Sequence, residues 1–198
     1  MLTQEEREKI FNAAQKIFDE KGVHDATLED ISDASGIALP TIVENFNNKS
    51  KILNEILSGG IEVITQYLHK LINERGKSDV KITRLVRKLL QSYEEYYPMF
   101  KLIGINMESL NQEDLELKGV LEHEKIERYR QNTTIIGRLI AKGQSEGIFA
   151  DINPQAAAYL LRGMITAIIK YWQATGKTQP LENFADLVTK IFIKGISK

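Results

Sequence analysis

The side chains best suited to meet a partner's polar groups are Thr41, Glu44 and Asn45, with Leu39, Pro40 and Val43 among them and Lys49 just beyond. On one short helix such a set can read base edges. Thr41 and Asn45 offer hydrogen bonds, Leu39 and Val43 offer apolar contact to thymine methyls, and Glu44 can accept from cytosine. Lys49, with Thr27 and Lys51, would hold phosphates. Covalent chemistry has no comparable cluster. His24, His69 and His123 stand apart, and no zinc-protease, serine-elbow or phosphate-loop spacing is present. The chain has no cysteine, which excludes disulfides, thiol catalysis and thiolate zinc sites. No catalytic residue, metal site or cofactor is assigned, and the chain does not read as an enzyme.

The elements that must position these residues are short helices. Thr27 is a helix N-cap with Asp30 three residues on, a capping-box-like start. Leu28, Ile31 and Ala34 then lay an apolar stripe along two turns, and Gly36 ends the helix where a positive φ is needed. Ile37 plugs the corner, and Pro40 presets φ in the first turn of a second helix running to about Asn45. Two helices joined through a glycine turn form a helix-turn-helix, whose second helix can enter a DNA major groove. Upstream, residues 7–22 form one amphipathic helix with Ile10, Ala13, Ala14, Ile17 and Phe18 at helical spacing, capped by Thr3 with Glu6 and stopped by Gly22. Downstream, Ile52, Leu53, Ile56 and Leu57 open another.

Taken together, residues 7–57 resemble the DNA-binding domain of the TetR family of transcriptional regulators. The resemblance rests on Ala13-Ala14, Ile17-Phe18, Gly22, Thr27, Ile31, Ala34, Gly36, Thr41, Phe46, Lys49 and Leu53. It implies an all-α protein: a three-helix helix-turn-helix domain over 1–50, then a helical ligand-binding and dimerisation domain over 51–198. It further implies a homodimer that binds double-stranded operator DNA, most often as a repressor, and releases it when a small molecule binds. The recognition helix departs from the family pattern, since Ala38 replaces a capping serine, Leu39 a polar residue and Val43 a tyrosine. Losing the cap alone costs about 1 kcal/mol of local helix stability.

Charge runs against an ordinary DNA-reading head. Residues 1–50 hold five basic and ten acidic side chains, although the whole chain is close to neutral at −1. Phosphate neutralisation dominates affinity for DNA, so the competing reading is a TetR-fold ligand sensor or interaction protein that has lost operator binding.

From residue 51 onward every segment reads helical. Helices are expected at 50–75, interrupted by Gly59-Gly60, then at 79–97, 121–145, 154–172 and 181–196, with an acidic connector over 108–119. The last two helices carry Ala157, Leu160, Leu161, Met164, Ile165, Ile168 and Ile169, then Leu187, Val188, Ile191 and Phe192. That surface is too wide for one buried stripe and marks a dimer interface. The resemblance places a ligand pocket among the middle helices, where Tyr67, Tyr93, Tyr97, Phe100, Ile103 and Met107 supply large apolar walls and His123 a polar anchor. The expected effector is largely apolar. The N-terminus has no apolar leader and no run approaches the length of a membrane span, so a soluble, cytoplasmic protein is expected.

Overall fold

The computed structural model describes residues 2–95 and 112–197, the side chains of 112–126 excepted. The described residues form eight α-helices: α1 (Gln4–Asp25), α2 (Leu28–Ser35), α3 (Leu39–Phe46), α4 (Lys49–Asn73), α5 (Ser78–Glu95), α6 (Gln112–Ser145), α7 (Pro154–Ala174) and α8 (Ala185–Ile196). A 3-10 turn, Leu181–Phe184, precedes α8. The described residues pack as two compact units, one holding residues 2–60 and the other residues 61–95 and 124–197.

In the first unit both expected capping boxes are present. Thr3 and Glu6 exchange side-chain and backbone hydrogen bonds at the start of α1, and Thr27 and Asp30 do so at the start of α2. Gly36 ends α2 in the left-handed region at φ 70°. Gly22 also has a positive φ, 79°, but the chain resumes helical geometry beyond it for one more turn, to Asp25. The glycine therefore marks a kink where a helix end was expected. Ile10, Ala14, Phe18, Ile31, Ile42 and Phe46 close into one core with Ile52, Leu53, Ile56 and Leu57 from α4. The core of the first unit thus draws on α4 well past residue 50.

In the second unit, α5 packs on α8 and the 3-10 turn, and α7 packs on α8 and α5. Asn153 caps α7 by accepting from the amides of Gln155 and Ala156 at 3.0 and 2.9 Å, with Pro154 in the first turn. The C-terminus is tied down where Ala150 donates its amide to the Ile196 carbonyl at 2.7 Å. Where a connector was expected over 108–119, α6 already begins at Gln112. Gly59 and Gly60 lie inside α4 without breaking it.

Candidate functional site

α3 is held by two side chains, Ile42 and Phe46, both fully buried. Every other position is free to face a partner or to support one. Pro40, Val43 and Glu44 are exposed, while Leu39, Thr41 and Asn45 are half-buried. Asn45 donates its side-chain amide to the Thr41 carbonyl at 2.8 Å, so the two polar reading candidates belong to one local turn. Ala38 gives α3 no side-chain cap, and its carbonyl instead accepts the amides of Thr41 at 2.9 Å and Ile42 at 3.2 Å, while Pro40 has no N–H to satisfy.

The corner beside α3 gathers the remaining candidates. Lys49 donates from Nζ to the carbonyls of His24 at 2.6 Å and Ala26 at 2.9 Å. Ala26 immediately precedes Thr27, so the structure brings Thr27 and Lys49 to one place. It also gives both a local task. Thr27 accepts the Asp30 amide at 3.1 Å, and Lys49 binds the carbonyls at the end of α1. Lys51 does the same for α3 through the Asn45 carbonyl at 2.8 Å.

The other cations among residues 2–60 are paired as well. Arg7 binds Glu55 and lies 5.3 Å from the centre of the Phe46 ring. Lys9 meets Glu5 at 2.8 Å and Lys21 meets Asp30 at 2.7 Å, while Lys16 stands 4.0 Å from Glu20. Hydrogen bonds from Lys21, then from the Thr27 backbone, hold the Asp30 carboxyl below its ordinary range. The composition of the head showed its acidity, but not that its lysines answer their own carboxylates and carbonyls.

The expected effector residues are less fully placed. Tyr97, Phe100, Ile103 and Met107 lie outside the described residues, and so does the side chain of His123. Tyr67 is half-buried beside Arg84. Tyr93 faces Gln173 on α7, its hydroxyl 3.4 Å from Nε2. Glu94 accepts the Leu181 amide at 2.7 Å, which fixes the 3-10 turn. A shallow polar cleft of about 340 Å³ lies instead between Arg87 on α5 and Glu182, Asn183 and Asp186.

One unforeseen group stands on α7. The Arg162 guanidinium lies face-on against Tyr129, its carbon 3.6 Å from the ring centre, and its Nη1 is buried with no hydrogen-bond partner.

The apolar surface expected on the last two helices also divides residue by residue. Ala157, Leu161, Ile165 and Ile169 turn into the core of their own unit, as do Val188 and Phe192. Met164 and Ile168 are half-buried. Leu160 remains 68% exposed, Ile191 56%, Tyr171 55%, Leu187 48% and Tyr159 46%. Among the described residues no three His, Cys, Asp or Glu side chains converge as for a metal ion. No helix among them is long and apolar enough to cross a membrane.

Two family models account for most of the chain. Residues 10–56 match the model for bacterial regulatory proteins of the tetR family, and residues 76–196 match the tetracyclin repressor-like C-terminal domain. The chain belongs to the TetR family. It is a ligand-responsive, DNA-binding transcriptional regulator of the repressor class, from a family of regulators and not of enzymes. A curated relative, the transcriptional repressor KstR2 of Rhodococcus jostii, is 22% identical over 96% of this chain and 91% of its own. A regulator from Saccharomonospora viridis, solved in complex with choline, superposes with a TM-score of 0.75 at 21% identity, covering 99% of this chain and 100% of its own. FadR from Bacillus subtilis, solved with stearoyl-CoA, gives 0.69 at 20% identity, over 96% and 98%. These similarities share the fold, while the ligands named differ in charge and size.

Proposed function

We propose that this TetR-family regulator works as a two-fold homodimer that reads a pseudo-palindromic operator with α3 and lets go when an apolar effector binds. The observation that carries the dimer is the row of exposed apolar side chains on the last two helices: Tyr159, Leu160, Tyr171, Leu187 and Ile191. Five large apolar groups on two neighbouring helices form a patch that another surface must cover. A second copy covers it with the same residues. Base contacts come from Pro40, Thr41, Val43, Glu44 and Asn45, with Leu39 behind them. Thr27 and Lys49 orient the head at the backbone. Residues 1–50 read DNA and 51–198 bind effector and partner, although the first core borrows from α4. The effector enters among the middle helices of the second domain, where Tyr67 and Tyr93 stand, with Tyr97, Phe100, Ile103, Met107 and His123 as further contacts. Such a protein works in the cytoplasm, where the chromosome is.

The test is selection of duplexes from a random pool by the purified protein, followed by anisotropy titration. A selected site with two-fold symmetry and half-sites one helical turn apart, about 34–36 Å, supports the reading. Retention of unrelated sequences without enrichment overturns it and favours a sensor that no longer reads DNA.

A further inference from the structure

An arginine inside a protein is ordinarily paired with a carboxylate, because an unpaired buried charge is costly. Arg162 breaks that rule. Its Nη1 is buried and unpartnered, and among the described residues no carboxylate lies within ion-pair distance of it. Tyr129 covers one face of the guanidinium at 3.6 Å, a stacking geometry that fixes the plane and leaves the N–H edge directed elsewhere. On the same turns of α7, Ala158, Leu161 and Ile165 are all buried. Burial pulls the guanidinium below its ordinary range, opposed by Tyr129 and Tyr159. One turn along α6 from Tyr129, Asn132 is buried and its Oδ1 also has no partner. That orientation is fixed, since Thr65 donates its own proton to the Ile61 carbonyl and accepts the Asn132 amide at 3.1 Å.

We infer that Arg162, stacked on Tyr129, is the anchor for an anionic oxygen group, carboxylate or phosphate, carried by an otherwise apolar effector. The inference rests on the effector-binding reading above and sharpens it. A planar fork in apolar surroundings binds a carboxylate or phosphate edge-on through two N–H bonds. The same positive charge disfavours a quaternary ammonium. The unpartnered Asn132 oxygen adds a place for a hydroxyl or amide donor on the same molecule.

The experiment uses full-length protein, with the fluorescence of Trp172 as readout, since it is the single tryptophan of the chain. Decanoate, decanol and decyltrimethylammonium, of equal chain length, are titrated into the parent protein and into Arg162→Met and Arg162→Lys. Decanoate should bind the parent at least about tenfold more tightly than either other probe, the size of a hydrogen bond to a charged group. Arg162→Met should remove that preference while leaving decanol binding in place, and Arg162→Lys should restore part of it. Equal binding of all three head groups, or an Arg162→Met protein that keeps its preference, overturns the anion site alone. Failure of every probe to bind overturns the apolar-effector reading with it. If Arg162→Met instead dissociates the dimer in sedimentation with probe binding unchanged, the guanidinium serves the partner subunit and the proposal falls.

Discussion

Leu160→Ala should weaken dimerisation without weakening the protomer. In the single chain Leu160 is 68% exposed, so its side chain contributes little to its own fold. Full burial of a leucine is worth about 1.5–3 kcal/mol relative to full exposure. Two thirds of that, about 1–2 kcal/mol, remains to be gained when a partner covers it. A two-fold interface counts each substitution twice, giving a loss of about 2–4 kcal/mol on removing most of the side chain. The dimer dissociation constant should rise about 30- to 1,000-fold. Adding Ile191→Ala, at 56% exposure, should weaken association further. Sedimentation equilibrium across nanomolar to micromolar protein measures the constant, and circular dichroism checks that helix content is unchanged. A dissociation constant within threefold of the parent's would refute the reasoning, because it would leave Leu160 facing solvent in the assembled protein.

Gly143→Ala should destabilise the second unit. A Cβ there would overlap the ring of fully buried Phe149 and approach the Ser78 Cβ to 3.0 Å, an overpacking that typically costs 1–3 kcal/mol; an unchanged thermal midpoint would contradict it. Lys49→Ala should lower stability by about 1 kcal/mol through the two carbonyls it leaves unmatched. It should weaken specific and non-specific DNA binding together while changing the salt slope by less than one counterion; a full unit lost would make Lys49 a free phosphate anchor instead. Asp30, held below the ordinary carboxylate range by Lys21 and Thr27, adds stability that is complete above its unfolded value and fades as pH falls through the folded one. Asp30→Asn should therefore flatten the acid limb of the stability profile, as followed by urea unfolding from pH 6 down to pH 2. Gly59→Ala meets open space and should stiffen α4, reducing the effector's influence on operator affinity more than effector affinity itself; an unchanged response would leave the glycine without a conformational role.

What the sequence revealed was local. Thr3 with Glu6, Thr27 with Asp30, Gly36, and Asn153 with Pro154 each solve a helix-end problem within a few residues, and each appears in the structure as read. Apolar spacing named the core of the head for the same reason, since period alone decides which face turns inward. What escaped depended on distant parts of the chain. Lys49 meets carbonyls 25 and 23 residues away, and Arg162 finds its stacking partner 33 positions earlier in the sequence. On the last two helices the pattern showed too much apolar surface. It could not divide Leu161 from Leu160, because only packing against α5 and α8 decides which of two neighbouring leucines is inside. The kink at Gly22 was equally hidden, since a glycine that ends a helix and one that bends it read alike.

The internally satisfied cations of the head bear on how the regulator is distributed along a chromosome. Random DNA holds a protein mainly through the counterions its lysines and arginines displace. Here Arg7, Lys9 and Lys21 face carboxylates of their own unit. Fewer ions should then be released on a chance encounter, and dwell times on unrelated sequence should be short. A chromosome offers on the order of a million or more such competing sites, and it is the ratio of operator to background binding that sets occupancy. Weak background retention raises that ratio without any added contact to the operator. Fewer molecules per cell should then suffice to occupy the operator, and an effector that loosens the grip only slightly should release the protein into solution and not onto neighbouring DNA.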